Sequence, residues 1–363
     1  MKTQVHRLAA AAPDDVSTLA EAIDSGMIVA ENVVAVLGKT EGNGCVNDFT
    51  RAFATKSLKA LFAKRLGQGE AEIEERIAFV MSGGTEGGLS PHWLVFEVVP
   101  GSIELRHAKS LAVGVAFTRE FLPEEIGRME HVRETARAVR EAMAAAHLDS
   151  EADVHYVQVK CPLLTAPRIA AARERGRSVA TQDTYESMGY SRGASALGVA
   201  LALGEIEEDS LNDQVICRDY ELFSRCASTS AGIELMRNEI MVLGNSPYWN
   251  SELVIGHAVM ADGIDAQAVD RAMASVSAAP NAAIAALLCK AEPSRDGLIR
   301  GNRHIMCDDS DIHSSRHARA LVGGVLAGRI GDTQLFVSGG AEHQGPDGGG
   351  PLALLIQYPG VSA

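Results

Sequence analysis

Val157-Gln158-Val159-Lys160 is an apolar, β-branched run that ends in a lysine. The same ending occurs at Val36-Leu37-Gly38-Lys39 and at Leu287-Leu288-Cys289-Lys290. Runs of this length and composition read as strands. After each lysine an arginine opens an Ala-rich helix, in Thr50-Arg51-Ala52, Ser191-Arg192-Gly193 and Ser315-Arg316-His317-Ala318-Arg319. Each unit then returns to a serine followed by small residues. These are Ser82-Gly83-Gly84-Thr85-Glu86-Gly87, Ser230-Ala231-Gly232-Ile233-Glu234 and Ser338-Gly339-Gly340-Ala341-Glu342. Lysine, arginine and serine therefore recur in one order three times, with a period of roughly 120 residues. A period of that length is a domain, not a solenoid unit.

The rest of the chain fits this division. Further strands are expected at Val33–Leu37, Ile77–Met81, Leu111–Phe117, Val154–Val159, Ile240–Leu243, Leu335–Val337 and Leu352–Ile356. Helical periodicity runs through Arg51–Leu66, stopped by Gly67, and through Val132–His147. Ala-rich helices are expected at 193–203, 266–278 and 316–328. Polar, turn-rich segments at Pro100–His107 and Tyr248–Ser251 suggest boundaries, giving domains 1–104, 105–250 and 251–363.

Composition narrows the function. The 363 residues are 46% hydrophobic and 22% charged, which is ordinary globular usage and excludes disorder. A net charge of −14 argues against nucleic-acid binding, which needs clustered Lys and Arg. A cleft can still be locally basic on an acidic protein. The six cysteines form no CxxC, so neither a zinc ribbon nor a disulfide framework is expected. The N-terminus lacks an apolar segment of signal-peptide type. The most apolar stretches, 196–204 and 282–289, are about half a membrane span. A cytoplasmic protein with no membrane partner is expected.

A serine needs a neighbouring base to become a nucleophile, and a lysine made neutral by burial or nearby cations can serve. Three lysines and three arginines converging on one cavity would lower one another's pKa. Small residues after each serine let backbone N–H groups approach a ligand oxygen, as in an oxyanion hole. Three copies of one donor set suit a planar ring with three equivalent carbonyls.

The longer motifs carry a family resemblance. Gly38-Lys39-Thr40-Glu41-Gly42-Asn43-Gly44-Cys45-Val46-Asn47-Asp48 resembles the first-domain signature of the cyclic amide hydrolases, the cyanuric acid amidohydrolase and barbiturase family. Met81–Gly87, Val159–Thr165, Ser187–Gly198 and Ser338–Pro346 are similar to its further motifs. The resemblance covers essentially the whole chain. It implies an α+β fold of three similar domains, each a sheet with helices on one face. They would surround a pseudo-threefold axis with a central barrel-like core.

It also implies a ring-opening hydrolase in which Ser230 is the nucleophile and Lys160 its general base. Arg51, Ser82, Gly83, Arg192, Ser230, Ala231, Arg319, Ser338 and Gly339 would bind the substrate oxygens, with Lys39 and Lys290 in supporting dyads. Helix phase pairs Arg316 with Arg51 and Arg192, whereas the family motif points to Arg319, about one turn further on. Ser315 would tune substrate choice. A structural Mg²⁺ or Ca²⁺ is implied in the third domain, at Glu292, Ala341, Gln344, Gly345, Pro346 and Gly349, mainly through backbone oxygens. No organic cofactor is expected, and a homotetramer is.

Cyanuric acid is the expected small-molecule substrate and barbituric acid the alternative. A non-catalytic binder of planar heterocycles is the rival from another class. Other features read blandly. His313 and His317 are expected as a pair near a helix start, and Cys161 as a buried thiol. The Gly83–Gly88 run fits neither nucleotide-binding pattern.

Overall fold

A computed structural model of the chain describes residues 1–358; positions 359–363, the end of the third expected domain, lie outside the described residues. The first sheet comprises β1 (Lys2–Ala9), β2 (Val33–Thr40), β3 (Ala78–Gly83) and β4 (His92–Val99). The second comprises β5 (Ser110–Phe117), β6 (Val154–Pro162), β7 (Ala227–Gly232) and β8 (Glu239–Ser246). The third comprises β9 (Leu253–Met260), β10 (Ile284–Ala291), β13 (Phe336–Gly339) and β14 (Gly350–Gln357). A small hairpin, β11 (Leu298–Ile299) and β12 (Asn302–Arg303), precedes the last helix.

The three sheets share one topology. Their orders are β1-β4-β2-β3, β5-β8-β6-β7 and β9-β14-β10-β13. One pair in each is parallel, β2 with β3, β6 with β7 and β10 with β13, and the others are antiparallel. Even an irregularity recurs: the register shifts at Val33/Ala35, at Val154/Tyr156 and at Ile284/Ala286. Bulges are built features that twist a strand, so three at one place mark one repeated unit.

Strand alternation divides each sheet into two faces. One face packs on helices. Val36, Phe79, Met81 and Trp93 meet α2 (Phe49–Leu66), with α1 (Ser17–Asp24) and α3 (Glu70–Glu74) nearby. In the second unit Val157, Val159, Ile240 and Val242 meet α4 (Met129–Ala145) and α6 (Thr184–Ala202), with α5 (Ala166–Glu174) after β6. In the third Leu287, Cys289, Leu352 and Leu354 meet α7 (Ala268–Ala274) and α8 (Ser314–Ile330). The other faces meet one another. Leu37, Val80, Phe96, Leu111, Tyr156, Met241, Leu288, Phe336 and Leu355 form one buried cluster drawn from all three sheets. Among the described residues the sheets share no strand ladder, and they join through these side chains. No helix there is long and apolar enough to cross a membrane.

Local chemistry sets the helix ends. Asp48 caps α2, its carboxylate accepting from the Thr50 N–H at 3.0 Å, and Gly67 ends it at φ 65°. Close approach of α4 to β5 depends on Gly114, where a Cβ would lie 1.8 Å from the Ala142 carbonyl oxygen.

One expectation needs correction. Arg192 does not open its helix: α6 begins at Thr184, capped by the Asp183 carboxylate on the Glu186 N–H, which the Ala-rich pattern concealed. The N-terminal residues, for which no element was expected, form an edge strand, Lys2–Ala9, on β4. Strand β4 went unread because His92–Phe96 is buried on both faces and shows no alternation.

Candidate active site

The same alternation carries the chemistry. Ala35, Leu37 and Lys39 follow one another on the inner face of β2, as Ala286, Leu288 and Lys290 do on β10. The strand after each lysine strand is parallel to it, and the registers pair Lys39 with Ser82, Lys160 with Ser230 and Lys290 with Ser338. All three lysines and all three serines are buried at the end of the shared core.

A buried ammonium must find acceptors, and the three lysines find them across domain borders. Lys39 Nζ donates to the Val337 carbonyl at 2.5 Å, Lys160 Nζ to that of Met81 at 2.9 Å, and Lys290 Nζ to that of Thr229 at 2.5 Å. Each acceptor immediately precedes the serine of another domain, so the three bonds close a ring around the centre. Lys39 also donates to Ser82 Oγ at 3.3 Å and Lys290 to Ser338 Oγ at 3.2 Å. Lys160 differs. Its Nζ lies 2.8 Å from Glu234 Oε1, and Ser230 Oγ is hydrogen-bonded instead to Ser338 Oγ at 3.0 Å. Lys160 and Ser230 are thus neighbours in register without a direct hydrogen bond.

The serines open onto a cavity of about 270 Å³. Arg51, Ser82, Gly83, Arg192, Ser230, Ala231, Arg319, Ser338 and Gly339 all line it, joined by Gly44, Met81 and Met188. Every substrate-contacting residue expected from sequence is therefore gathered in one place. Arg319 is there and Arg316 is not. Ser315 is also outside the lining, in the first turn of α8, with its N–H on His313 Nδ1 at 3.2 Å. His313 caps that helix, and His317 contacts Asp309 at 2.8 Å, so the two rings share no ligand position.

Glutamates hold two of the arginines. Arg192 grips Glu342 through Nε at 2.7 Å and Nη2 at 2.6 Å. Arg319 grips Glu86 through Nε at 2.9 Å and Nη2 at 2.6 Å. Bidentate pairs of this kind fix the guanidinium plane. Arg51 is held otherwise, donating to the Ala231 carbonyl at 2.8 Å and to that of Cys45 at 2.5 Å. Small residues make room: a Cβ on Gly339 would sit 2.6 Å from Arg319 Nη1, and one on Gly340 2.4 Å from Arg192 Nε. The roles of Glu86, Glu234 and Glu342 were not read from the sequence, although their recurrence four residues after each serine was the available signal.

Burial dominates the electrostatics. It pushes Lys39 well below the usual lysine range, with Arg319 adding to the effect. It brings Lys290 to about 7, helped by Arg192. Burial lowers Lys160 too, but Glu234 opposes it. Burial would raise the Glu234 carboxyl, yet Lys160 and Arg51 outweigh it and hold the group at about 2.

A second cavity of about 460 Å³ lies in the third domain. Of the residues expected around a cation, Glu292, Ala341, Gly345 and Pro346 line it, beside Tyr220, Arg295, Glu342 and Asp347. Gln344 and Gly349 do not. The Gln344 carboxamide oxygen accepts from the Thr229 N–H at 2.7 Å, and Gly349 donates its N–H to the Pro346 carbonyl at 2.9 Å. Burial, then the nearby Glu342 charge, raises the Glu292 carboxyl to about 7. A buried carboxylate whose charged form burial disfavours, beside a second carboxylate, fits a hard divalent cation. Among the described residues no group of three or more His, Cys, Asp or Glu is arranged to hold a metal, so backbone oxygens would supply most ligands.

Comparisons with known proteins accord with this geometry. Residues 4–357 match the family model described as amidohydrolase ring-opening protein. The cyanuric acid amidohydrolase of Ectopseudomonas oleovorans is 65% identical, over 98% of this chain and 100% of that protein. That of Enterobacter cloacae is 57% identical, over 98% and 100%. A solved cyanuric acid hydrolase superposes with a TM-score of 0.94 at 51% identity, covering 98% of this chain and 99% of that one. The cyanuric acid hydrolase structure from A. caulinodans gives 0.92 at 55% identity, covering 99% of each.

Proposed function

This chain belongs to the ring-opening amidohydrolase family, and on that premise we infer that it opens the ring of cyanuric acid by hydrolysis. It is accordingly a hydrolase of a cyclic C–N bond rather than a binding protein. The observation that carries the substrate is the cavity, where three equivalent sets of arginine, serine and small residue converge. A flat ring with three equivalent carbonyls fits that donor set, and buried cations favour its anion. We read the three sheets as facing one pseudo-threefold axis in a barrel-like manner, which is the arrangement such a ring needs.

The mechanism we propose uses the middle unit. Neutral Lys160 takes the Ser230 hydroxyl proton, and Ser230 Oγ attacks a ring carbonyl. N–H groups at the small residues after the serines stabilise the oxyanion. The C–N bond breaks as the Lys160 proton passes to the departing ring nitrogen, leaving an acyl-enzyme. Water, deprotonated by Lys160, then attacks the ester, and the proton returns to Ser230 Oγ. The product is carboxybiuret, which loses carbon dioxide to give biuret. Lys160 faces Glu234 in the free protein, and catalytic hydrogen bonds often tighten only when substrate is bound. Lys39 and Lys290 act as electrostatic supports that orient Ser82 and Ser338.

A divalent cation at Glu292 and the Ala341–Gly349 loop would be structural, neutralising carboxylates beside Arg192 without touching the ring. We further propose a cytoplasmic homotetramer that needs no organic cofactor, in line with the family; light scattering tests the assembly. Incubation with cyanuric acid and, separately, barbituric acid, following each ring's ultraviolet absorbance, tests the function. Loss of cyanuric acid alone is expected. Loss of barbituric acid alone overturns the substrate, and loss of neither overturns the activity.

A further inference from the structure

The three units match in topology, register and bulge, so the place where they differ is informative. Glu86 and Glu342 are each held by two hydrogen bonds from an arginine of another domain. By the same rotation Glu234 should be held by Arg51. It is not: Arg51 spends its donors on the carbonyls of Ala231 and Cys45. Glu234 turns back toward its own domain and meets Lys160 at 2.8 Å.

The backbone explains the difference. Gly84 and Gly340 adopt φ +102° and +81°, and a guanidinium passes over each of them. The corresponding Gly232 is still within β7, without positive φ, and what lies against it is the Glu234 carboxylate, 2.1 Å from where a Cβ would be. Glu234 meets Lys160 through Oε1 without the two-bond arginine clamp that holds Glu86 and Glu342. The ammonium is therefore attracted but not locked. Both residues also line a cleft of about 770 Å³ between the first two domains, together with Lys59, Glu74, Arg168 and Glu239. Lys160 borders that cleft while remaining fully buried, and Glu234 lies between it and the opening with a side chain 12% exposed.

We propose that Glu234 is the positioning residue that selects Lys160 and Ser230 as the reacting pair among three otherwise equivalent pairs. This rests on the hydrolytic reading above. A base must carry the serine proton until the ring nitrogen leaves. A carboxylate beside Lys160, and not clamped by arginine, stabilises that ammonium and steers it. Lys39 and Lys290 face carboxylates already neutralised by Arg319 and Arg192. The charged and titratable groups facing Lys160 are Glu234 after β7, Arg51 from α2, Glu239 in register on β8 and Cys161 on its own strand. The cleft adds Lys59, Glu74 and Glu75 from the first domain and Glu120, Arg168 and Arg237 from the second.

Two measurements on the Glu234→Gln and Glu234→Asp variants test this. Lys160 is followed by its ¹³Cε shift in lysine-labelled protein, assigned with Lys160→Arg, and kcat/KM is followed against pH. Glu234→Gln should move the Lys160 titration and the acidic limb of kcat/KM about one pH unit lower, and reduce kcat on the order of 100-fold. Glu234→Asp should restore the limb and most of the rate, and Glu86→Gln should raise KM without moving the limb. An unmoved Lys160 titration, a limb that stays in place, or an equal shift in Glu86→Gln overturns the proposal. If the unaltered chain leaves cyanuric acid intact, the hydrolytic reading fails, while the Lys160 titration still decides the coupling to Glu234.

Discussion

Arg319 of the third domain grips Glu86 of the first through two parallel hydrogen bonds, at 2.9 and 2.6 Å. The guanidinium is thereby fixed against the cavity wall, with Gly44 and Gly339 small enough to admit it. Lysine is no substitute, since a point charge cannot reproduce a planar fork. Arg319→Lys should raise KM for cyanuric acid at least tenfold, with a smaller loss in kcat. Arg316→Ala should keep both constants within about twofold, because Arg316 lies outside the cavity. Steady-state kinetics on the two variants checks this, and the reverse result would return the binding role to Arg316.

Ser230 and its two counterparts share a register but are expected to separate functionally. Ser230→Ala removes the nucleophile, so turnover should fall by on the order of 1,000-fold or more. Calorimetry should still detect ring binding. Ser82→Ala and Ser338→Ala should act mainly on KM, because Lys39 and Lys290 hold those hydroxyls as fixed polar contacts. Full turnover in Ser230→Ala, or its loss in an outer variant alone, would move the reaction to another pair.

The order of lysine, arginine and serine was legible because strand register converts sequence order into position. Lys39 opposite Ser82 and Lys160 opposite Ser230 follow once the strands are parallel. The choice between Arg316 and Arg319 was not legible from helix phase. The arginines sit at different depths in α2, α6 and α8, whose starts are set by Asp48, Asp183 and His313. The ring of Lys-to-carbonyl bonds was hidden for a deeper reason. Its acceptors are backbone atoms of Met81, Thr229 and Val337, supplied by neighbouring domains. Only the packing of the sheets identifies them.

Glu239 gives a test of the border between the first two domains. Its buried carboxylate accepts from the Phe79 N–H at 2.8 Å, and burial pushes its pKa up to about 7. An ordinary glutamate titrates near 4.3. Between those values the folded chain holds a proton that the unfolded chain has released, so stability falls as pH rises from about 4.3 to 7 and then levels. Glu239→Gln keeps the acceptor without the charge. It should raise the Tm at pH 8, by up to about 3 kcal/mol of stability, and change little near pH 4. Thermal melts at the two pH values check this, and a gain confined to low pH would reverse the sign of the argument.

Cation removal tests the third-domain loop separately from the chemistry. Glu292 accepts the Gly340 N–H at 2.7 Å, and Gly340 lies against Arg192, so the loop is tied directly to a cavity arginine. A ligand that binds only the folded form stabilises it by about 2.7 kcal/mol at a hundredfold excess over Kd. Dialysis against a chelator should therefore lower the Tm by a few degrees, with Mg²⁺ or Ca²⁺ restoring it. Glu292→Gln should melt lower and respond less to both treatments, because a neutral amide binds a hard cation more weakly than a carboxylate does. Since the cation is assigned no step, activity measured well below the Tm should fall only as far as Arg192 loses its place, appearing in KM before kcat. A collapse of kcat with unchanged KM would mean that the ion acts on the ring itself.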